Sequence, residues 1–312
     1  MTRDVLAGKD GWLFLSGGSN SVLDVYSGSR NNYSWCSDWA ELLNVRNNKI
    51  REMGIEYFHI AAPEKIGVYS RYMILEDHVG FNINNSPANQ LSKTASNDVA
   101  SIYINPFDYL HQQSQSMDVY HKTDTHWNFL GAYSVYQLLM SRMRLKCNAN
   151  VLKVERKTGP CLMDLGSKID SNILENVFFF TSSSNVKRVF ANDLVKYKEE
   201  NSSENDAGLH IGSSIIFSNS NPIHNKRVLV FGDSFSEYRP QLLTGILAET
   251  FSEVMFVWSL DIDYSIITDF SPDIVITEAA ERFMPFTVPS DNFDLVTYVE
   301  KTLDEIKKQI RL

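Results

Sequence analysis

Residues 228–231, Val-Leu-Val-Phe, form a continuous apolar run that stops at Gly232-Asp233-Ser234. That is the pattern of a short strand buried on both faces. From Pro240 the period changes, and Leu242, Leu243, Ile246 and Leu247 fall on one side of a helix. The same switch recurs along the chain. Ser37-Asp38 caps a predicted helix running to about Met53, with Glu41 in its first turn and Gly54 as its stop. Residues 57–62 then read as a strand ended by Pro63, and 101–104 as another. Asn128 caps a helix to about Met143, with Leu130, Tyr133, Tyr136, Leu139 and Met143 as its apolar stripe. Beyond Ser234 the pattern predicts a strand at 254–258, a short helix at 263–269, a strand at 273–277 and a last helix from about Asn292. Strands alternating with helices imply parallel pairing in a doubly wound α/β sheet.

Other stretches carry weaker signals. Residues 8–15 read as a tight turn followed by a short apolar strand, residues 17–21 and 27–32 as loops, and the polar stretch 76–100 as a long loop with some helix. Between about 148 and 225 polar segments such as 199–205 separate β-like runs at 177–181 and 213–217. The expectation is one α/β domain over residues 1–312 with a small β-containing insertion at 148–225. No internal repeat or low-complexity tract appears.

Composition narrows the function classes. With 43% hydrophobic and 12% aromatic residues in 312, the chain can bury a large core. Its net charge of −9 argues against nonspecific binding to nucleic acid or to anionic lipid. No apolar run is long enough for a membrane-spanning helix. Residues 1–8 lack the apolar core of an export signal, and three scattered cysteines, Cys36, Cys147 and Cys161, suit a reducing compartment. The chain as written is therefore expected in the cytoplasm, and in the periplasm if its N-terminus has been trimmed.

Two constellations carry chemistry. Ser234 stands between a buried strand and a helix, at the edge where open α/β sheets place their sites. A helix N-terminus there favours a developing negative charge. The plainer reading is that Asp233 or Ser234 only caps the helix. Upstream, Asp124 and His126 lie two residues apart, so an extended segment points both side chains the same way. A carboxylate on one imidazole nitrogen fixes the tautomer and stabilises the imidazolium, which makes a base that lacks only a hydroxyl. Ser234 supplies one. Against this stand an ordinary half-buried His126 beside Trp127, and a metal site built from His121, Asp124 and His126. No further histidine or cysteine cluster completes that metal site, so no metal is expected. Lys65, in Pro63-Glu64-Lys65 after the strand at 57–62, reads either as a solvated loop lysine or as a substrate contact. Glu281 and Arg282 read as a structural ion pair. Trp12, Trp127, Tyr238 and Trp258 read mainly as core residues that also suit stacking on a sugar ring.

Six segments occur in one order: Gly8-Lys9-Asp10-Gly11-Trp12-Leu13-Phe14; Pro63-Glu64-Lys65 with Tyr69; Asp124-Thr125-His126-Trp127; Asp164-Leu165-Gly166-Ser167-Lys168; Gly232-Asp233-Ser234-Phe235; and 272–278 with Glu281-Arg282. Together they resemble the SGNH-hydrolase-like polysaccharide O-acetyltransferases related to the alginate acetylation proteins AlgJ and AlgX. The resemblance spans nearly the whole chain. It implies an SGNH-hydrolase-like, flavodoxin-like fold, with Ser234 as nucleophile and Asp124 and His126 completing the triad. Ordinary SGNH hydrolases carry an Asp-x-x-His near the C-terminus, whereas here no histidine follows His224. The base must then come from upstream.

The activity implied is transfer of an acetyl group through an acyl-serine onto a sugar hydroxyl of a bacterial polysaccharide or its precursor. An esterase using the same triad and a catalytically silent glycan-binding or assembly protein are the alternatives. Lys65, Tyr238, Arg239 and Arg282 are candidate substrate or oxyanion contacts. No tightly bound cofactor is expected. The donor would be acetyl-CoA or an acetyl group relayed by a membrane-bound O-acyltransferase partner, and the acceptor a glycan. No phosphate-cradling glycine-rich loop supports acetyl-CoA.

Overall fold

The computed structural model describes residues 4–17, 21–29, 33–74, 80–204 and 206–310. The stretches at 1–8, 17–21, 27–32, 76–100 and 199–205 therefore fall partly outside the described residues. The apolar runs form β1 (Val5–Ala7), β2 (Leu13–Leu15), β3 (Glu56–Ala62), β4 (Tyr103–Ile104), β5 (Arg156–Leu162), β6 (Leu174–Phe180), β7 (Val186–Ala191), β8 (Ser214–Asn219), β9 (His224–Gly232), β10 (Phe251–Trp258) and β11 (Ile274–Ala280). Seven of them make one sheet in the order β4-β3-β11-β9-β10-β8-β7. The five strands from β4 to β10 pair in parallel, while β8 and β7 extend the sheet antiparallel. β1 with β2 and β5 with β6 form separate antiparallel hairpins.

Strand periodicity divides the core into two layers. On β9, Val228 and Val230 face one hydrophobic cluster, and Leu229 and Phe231 face the other. The first cluster takes its cover from the helices Phe129–Arg142 and Leu243–Ala248. The second takes it from Ser34–Glu52, Pro87–Thr94, Tyr264–Phe270 and Leu295–Ile310. A sheet covered on both faces explains why its central strands read as unbroken apolar runs.

Several expected boundaries move. The first half of the run at 101–104 is the end of a helix, Asn97–Ile102, whose N-cap Ser96 accepts the Val99 N–H, and Tyr103–Ile104 is strand. The helix expected from Ser37 begins at Ser34, and the last helix at Leu295. Asn128 caps its helix as read, accepting the Gly131 N–H at 3.0 Å. Residues 148–225 supply the β5–β6 hairpin and also β7 and β8 of the main sheet. Among the described residues no helix is long and apolar enough to cross a membrane.

One polar residue sits in the wall of β3. His59 is buried, with Nδ1 at 2.8 Å from Thr277 Oγ1 and no partner for Nε2 among the described residues. Burial first, and the Arg46 cation second, push its pKa well below the ordinary histidine value. The folded state therefore holds His59 neutral, whereas the unfolded chain takes up a proton below about pH 6.5. Stability is fully present above that pH and is lost as pH falls. Urea midpoints measured from pH 7.5 to 5 will show this decline, and His59→Phe will flatten it. An equal slope in the variant would assign the acid sensitivity elsewhere.

Candidate active site

The carboxyl ends of β9, β3 and β11 meet on one edge of the sheet. β9 delivers Asp233 and Ser234. The expected helix does not follow at once: turns occupy residues 234–242, and the helix Leu243–Ala248 starts nine residues after Ser234. Ser234 is thus not at a helix N-terminus, and neither it nor Asp233 caps that helix. Asp233 serves the turn instead. Its Oδ1 accepts the Phe235 N–H at 3.0 Å and its Oδ2 the Ala280 N–H at 2.8 Å, tying the turn to β11. The Asp233 N–H donates to Glu278 Oε2 at 3.1 Å, and Glu278 is itself buried.

Asp124 and His126 come from an irregular loop at 121–126, closed by a bridge between Tyr120 and Trp127. His126 Nδ1 lies 2.6 Å from Asp124 Oδ1, and its Nε2 lies 2.7 Å from Ser234 Oγ. The His126 N–H also donates to Asp124 Oδ1 at 2.8 Å. Phe235 packs edge-on against the His126 ring at 4.9 Å and against Trp127 at 4.8 Å, and Trp127 Nε1 donates to the Phe235 carbonyl. The loop and the turn are therefore locked together beside the hydroxyl. Burial pulls the His126 pKa down, but the Asp124 carboxylate outweighs it and the net shift is upward. Burial alone would raise the Asp124 carboxyl, and the His126 charge and hydrogen bonds hold it well below its usual value.

The other candidate residues separate into two groups. Lys65 is neither solvated nor free to meet a substrate. It is buried, and Nζ donates to the carbonyls of His121 and Lys122, each at 2.9 Å, and to that of Asp124. All three donors of the ammonium are spent on the loop. Arg282 pairs with Glu64 rather than with Glu281, Nη1 to Oε1 at 2.8 Å, with side chains 8% and 2% exposed. Glu281 instead accepts the Tyr26 hydroxyl, the Glu64 N–H, the Ser86 hydroxyl and the Ala88 N–H. Tyr238 and Arg239 lie within the turns that follow β9. The Arg239 side chain is half exposed and bonded to Glu237, while Tyr238 is half-buried against Phe256. Trp12 and Trp127 are core residues, and Trp258 stacks on His210 at 4.3 Å.

The suspected metal trio does not assemble, because His121 Nδ1 faces Glu175 Oε1 at 3.3 Å. Among the described residues, Asp124, His126 and Asp164 have ligand-type atoms within 4.8 Å of one another. Those atoms are already engaged: His126 by Asp124 and Ser234, and Asp164 by the N–H and hydroxyl of Thr125. Three acidic residues in this region carried no local signal as site residues. Glu175 is defined only by partners far away in the chain, and Glu64 and Asp164 stand out only within the family resemblance.

The sequence matches the family model described as SGNH hydrolase-like domain, acetyltransferase AlgX, over residues 5–259. Among solved structures the chain is similar to PatB1 of Bacillus cereus, with 19% identity, a TM-score of 0.60, and coverage of 90% of this chain and 96% of that one. PatB1 has also been solved with a sulfonyl adduct. The O-acetyltransferase domain of Pseudomonas putida AlgJ matches at 16% identity and a TM-score of 0.54, over 93% of this chain and 95% of that one. Pseudomonas aeruginosa AlgX matches at 15% identity and a TM-score of 0.53, over 91% of this chain and 63% of that one. At such identities the likeness to these structures concerns the fold. No curated protein matches the sequence.

Proposed function

The chain belongs to the SGNH hydrolase-like acetyltransferases of the AlgX type, and we propose that it transfers an acetyl group through Ser234 onto a hydroxyl of a bacterial polysaccharide or its precursor. The observation that carries this reading is the unbroken line of hydrogen bonds from Asp124 through His126 to Ser234. In the first step Ser234 Oγ gives its proton to His126 Nε2 and bonds to the acetyl carbonyl carbon. His126 Nδ1–H stays on Asp124, which steadies the imidazolium. The donor's leaving group departs with the proton from Nε2, leaving acetyl-Ser234. A sugar hydroxyl then gives its proton to the same nitrogen and attacks, and the acetyl group moves to the sugar as Ser234 recovers its proton. The Ser234 N–H, which has no other partner among the described residues, is the proposed donor to the oxyanion. Tyr238 and Arg239, four and five residues after Ser234 in the same run of turns, are the proposed acceptor contacts.

The donor is acetyl-CoA or an acetyl group passed on by a membrane-bound acyltransferase partner. Incubation with p-nitrophenyl acetate tests the reading by intact-protein mass. An acetyl group will appear on Ser234 and move to a supplied glycan. Release to water alone, with glycan present, would favour an esterase. An unlabelled protein that still binds glycan would favour an assembly role. The rate will rise with pH as His126 loses its proton, and the raised pKa places that midpoint above the ordinary histidine value of about 6.5. Asp124→Asn will move the midpoint down, and an unmoved midpoint would separate the limb from His126.

A further inference from the structure

The loop at 121–126 has no regular secondary structure, yet its peptide groups are held from outside on both sides. Buried backbone groups need partners, and here those partners are charged side chains distant in sequence. Lys65 takes the carbonyls of His121, Lys122 and Asp124. Glu175, on β6, takes the N–H groups: its Oε1 accepts from Lys122 at 3.1 Å, and its Oε2 from the Thr123 N–H at 2.8 Å and hydroxyl at 2.7 Å. The Thr123 carbonyl accepts from the N–H groups of Leu165 and Gly166, and Asp164 accepts the Thr125 N–H at 2.7 Å. Strand alternation explains how Glu175 reaches the loop. Over residues 174–178 of β6, Leu174 and Phe178 lie on the outer face, at 55% and 48% exposed, while Glu175 and the buried Val177 lie on the other; the pattern ends there, since Phe180 packs on Phe129.

We propose that Glu175 and Lys65 are positioning residues, a two-sided clamp that sets His126 against Ser234, which makes the β5–β6 hairpin part of the active site. The proposal rests on the roles given above to Ser234 and His126. Its physical basis is that an irregular loop has no ladder of its own to fix a catalytic side chain. Misplacement by about 1 Å costs on the order of 10²-fold in rate. Both groups are charged at neutral pH: burial draws Lys65 down to about 8 against nearby carboxylates, and hydrogen bonds from His121 and Thr123 override burial to bring Glu175 to about 2. A cation on the carbonyls and an anion on the N–H groups each form the stronger, charge-assisted bonds.

The experiment compares Glu175→Ala and Glu175→Gln with the wild type by three readouts: p-nitrophenyl acetate turnover, labelling of Ser234 by a sulfonyl fluoride, and NMR titration of the His126 ring. Glu175→Ala is expected to lose on the order of 10²-fold in kcat and in labelling rate, with little change in KM. Its His126 pKa will fall toward the ordinary value as Asp124 drifts from the ring. Glu175→Gln keeps one acceptor oxygen and will fall between, with the same direction of pKa shift. A merely stabilising residue would lower the unfolding midpoint but leave turnover and titration unchanged below it, and that result would overturn the proposal. Should Glu175→Ala fail to fold, the near-isosteric Glu175→Gln is judged on the same criteria. If the wild type itself neither turns over ester nor labels, the acyl-serine reading fails. The His126 titration then still decides whether Glu175 sets the imidazole.

Discussion

Ser234→Ala is expected to reduce acetyl-ester turnover by on the order of 10⁵-fold or more and to remove both acetyl and sulfonyl labelling. The size follows from what is lost. In the proposed mechanism the hydroxyl is the atom that forms the bond. His126→Ala is expected to cost nearly as much, because Nε2, 2.7 Å from the hydroxyl, is its proposed proton acceptor. The two losses will not add. Residues acting as one unit fail together, so the double variant will match either single one within a few-fold. Folding will be unaffected in Ser234→Ala, since the turn is held by Asp233, Phe235 and Ser236 rather than by the hydroxyl. Turnover by steady-state kinetics and labelling by mass spectrometry check this result. Activity persisting in either single variant would remove Ser234 and His126 from the chemistry. Losses that multiplied would mean that they act in separate steps.

The second large effect concerns the buried pair of Glu64 and Arg282. Arg282→Met leaves the Glu64 carboxylate, 2% exposed, without its cation. Removing one partner of a buried ion pair costs about 3–5 kcal/mol, chiefly through the uncompensated charge that remains. Urea unfolding will show this as a lower midpoint at unchanged slope. The pH dependence follows from the same charge. Burial raises the Glu64 carboxyl and Arg282 opposes that, so losing Arg282 raises it further. A carboxyl whose folded pKa exceeds its unfolded value destabilises progressively as pH rises above about 4.3. The deficit of Arg282→Met will therefore be smaller at pH 5 than at pH 7.5. Replacing both residues, Glu64→Gln with Arg282→Met, will restore most of the stability, because neither member of the pair is then left as a buried charge without its partner. Activity need not return with it. The Arg282 guanidinium lies over the Phe235 ring at 5.5 Å, and that ring packs against His126. A cost below about 1 kcal/mol for the single change would mean that the pair behaves like a surface contact.

Much of the fold is legible in local pattern. Strands buried on both faces carry apolar residues on both faces over most of their length, so β9, β10 and β11 announce themselves as runs, and their alternation with helices fixes a parallel sheet. The proposed nucleophile follows from the same logic, as the serine just past such a run. Asp124 and His126 are legible because both members of the pair lie within one short segment. Residues 101–102 read as part of a strand yet close the helix Asn97–Ile102, because that helix has few apolar positions and its capping serine, Ser96, decides its start. The residues that support the site are not legible locally, for a different reason. Lys65 looked like a surface lysine because nothing near it in sequence accepts its protons; its acceptors stand 56 to 59 residues away. Arg282 was matched to its chain neighbour Glu281, although the side chains diverge and Glu64, 218 residues distant, takes the bond.

The sequence by itself determined the layered α/β architecture, the strand end that carries Ser234 and the pairing of a carboxylate with His126. Each of these depends on periodicity or spacing within about a dozen residues. Only the tertiary structure decided that the hydroxyl and the imidazole meet across 108 residues, and that Glu175, Lys65 and Asp164 hold the loop that brings them together. A charged residue is legible as a surface group until folding surrounds it. What it then does is set by the backbone groups that arrive beside it, and those are specified by the packing of the whole sheet edge rather than by any local run of residues.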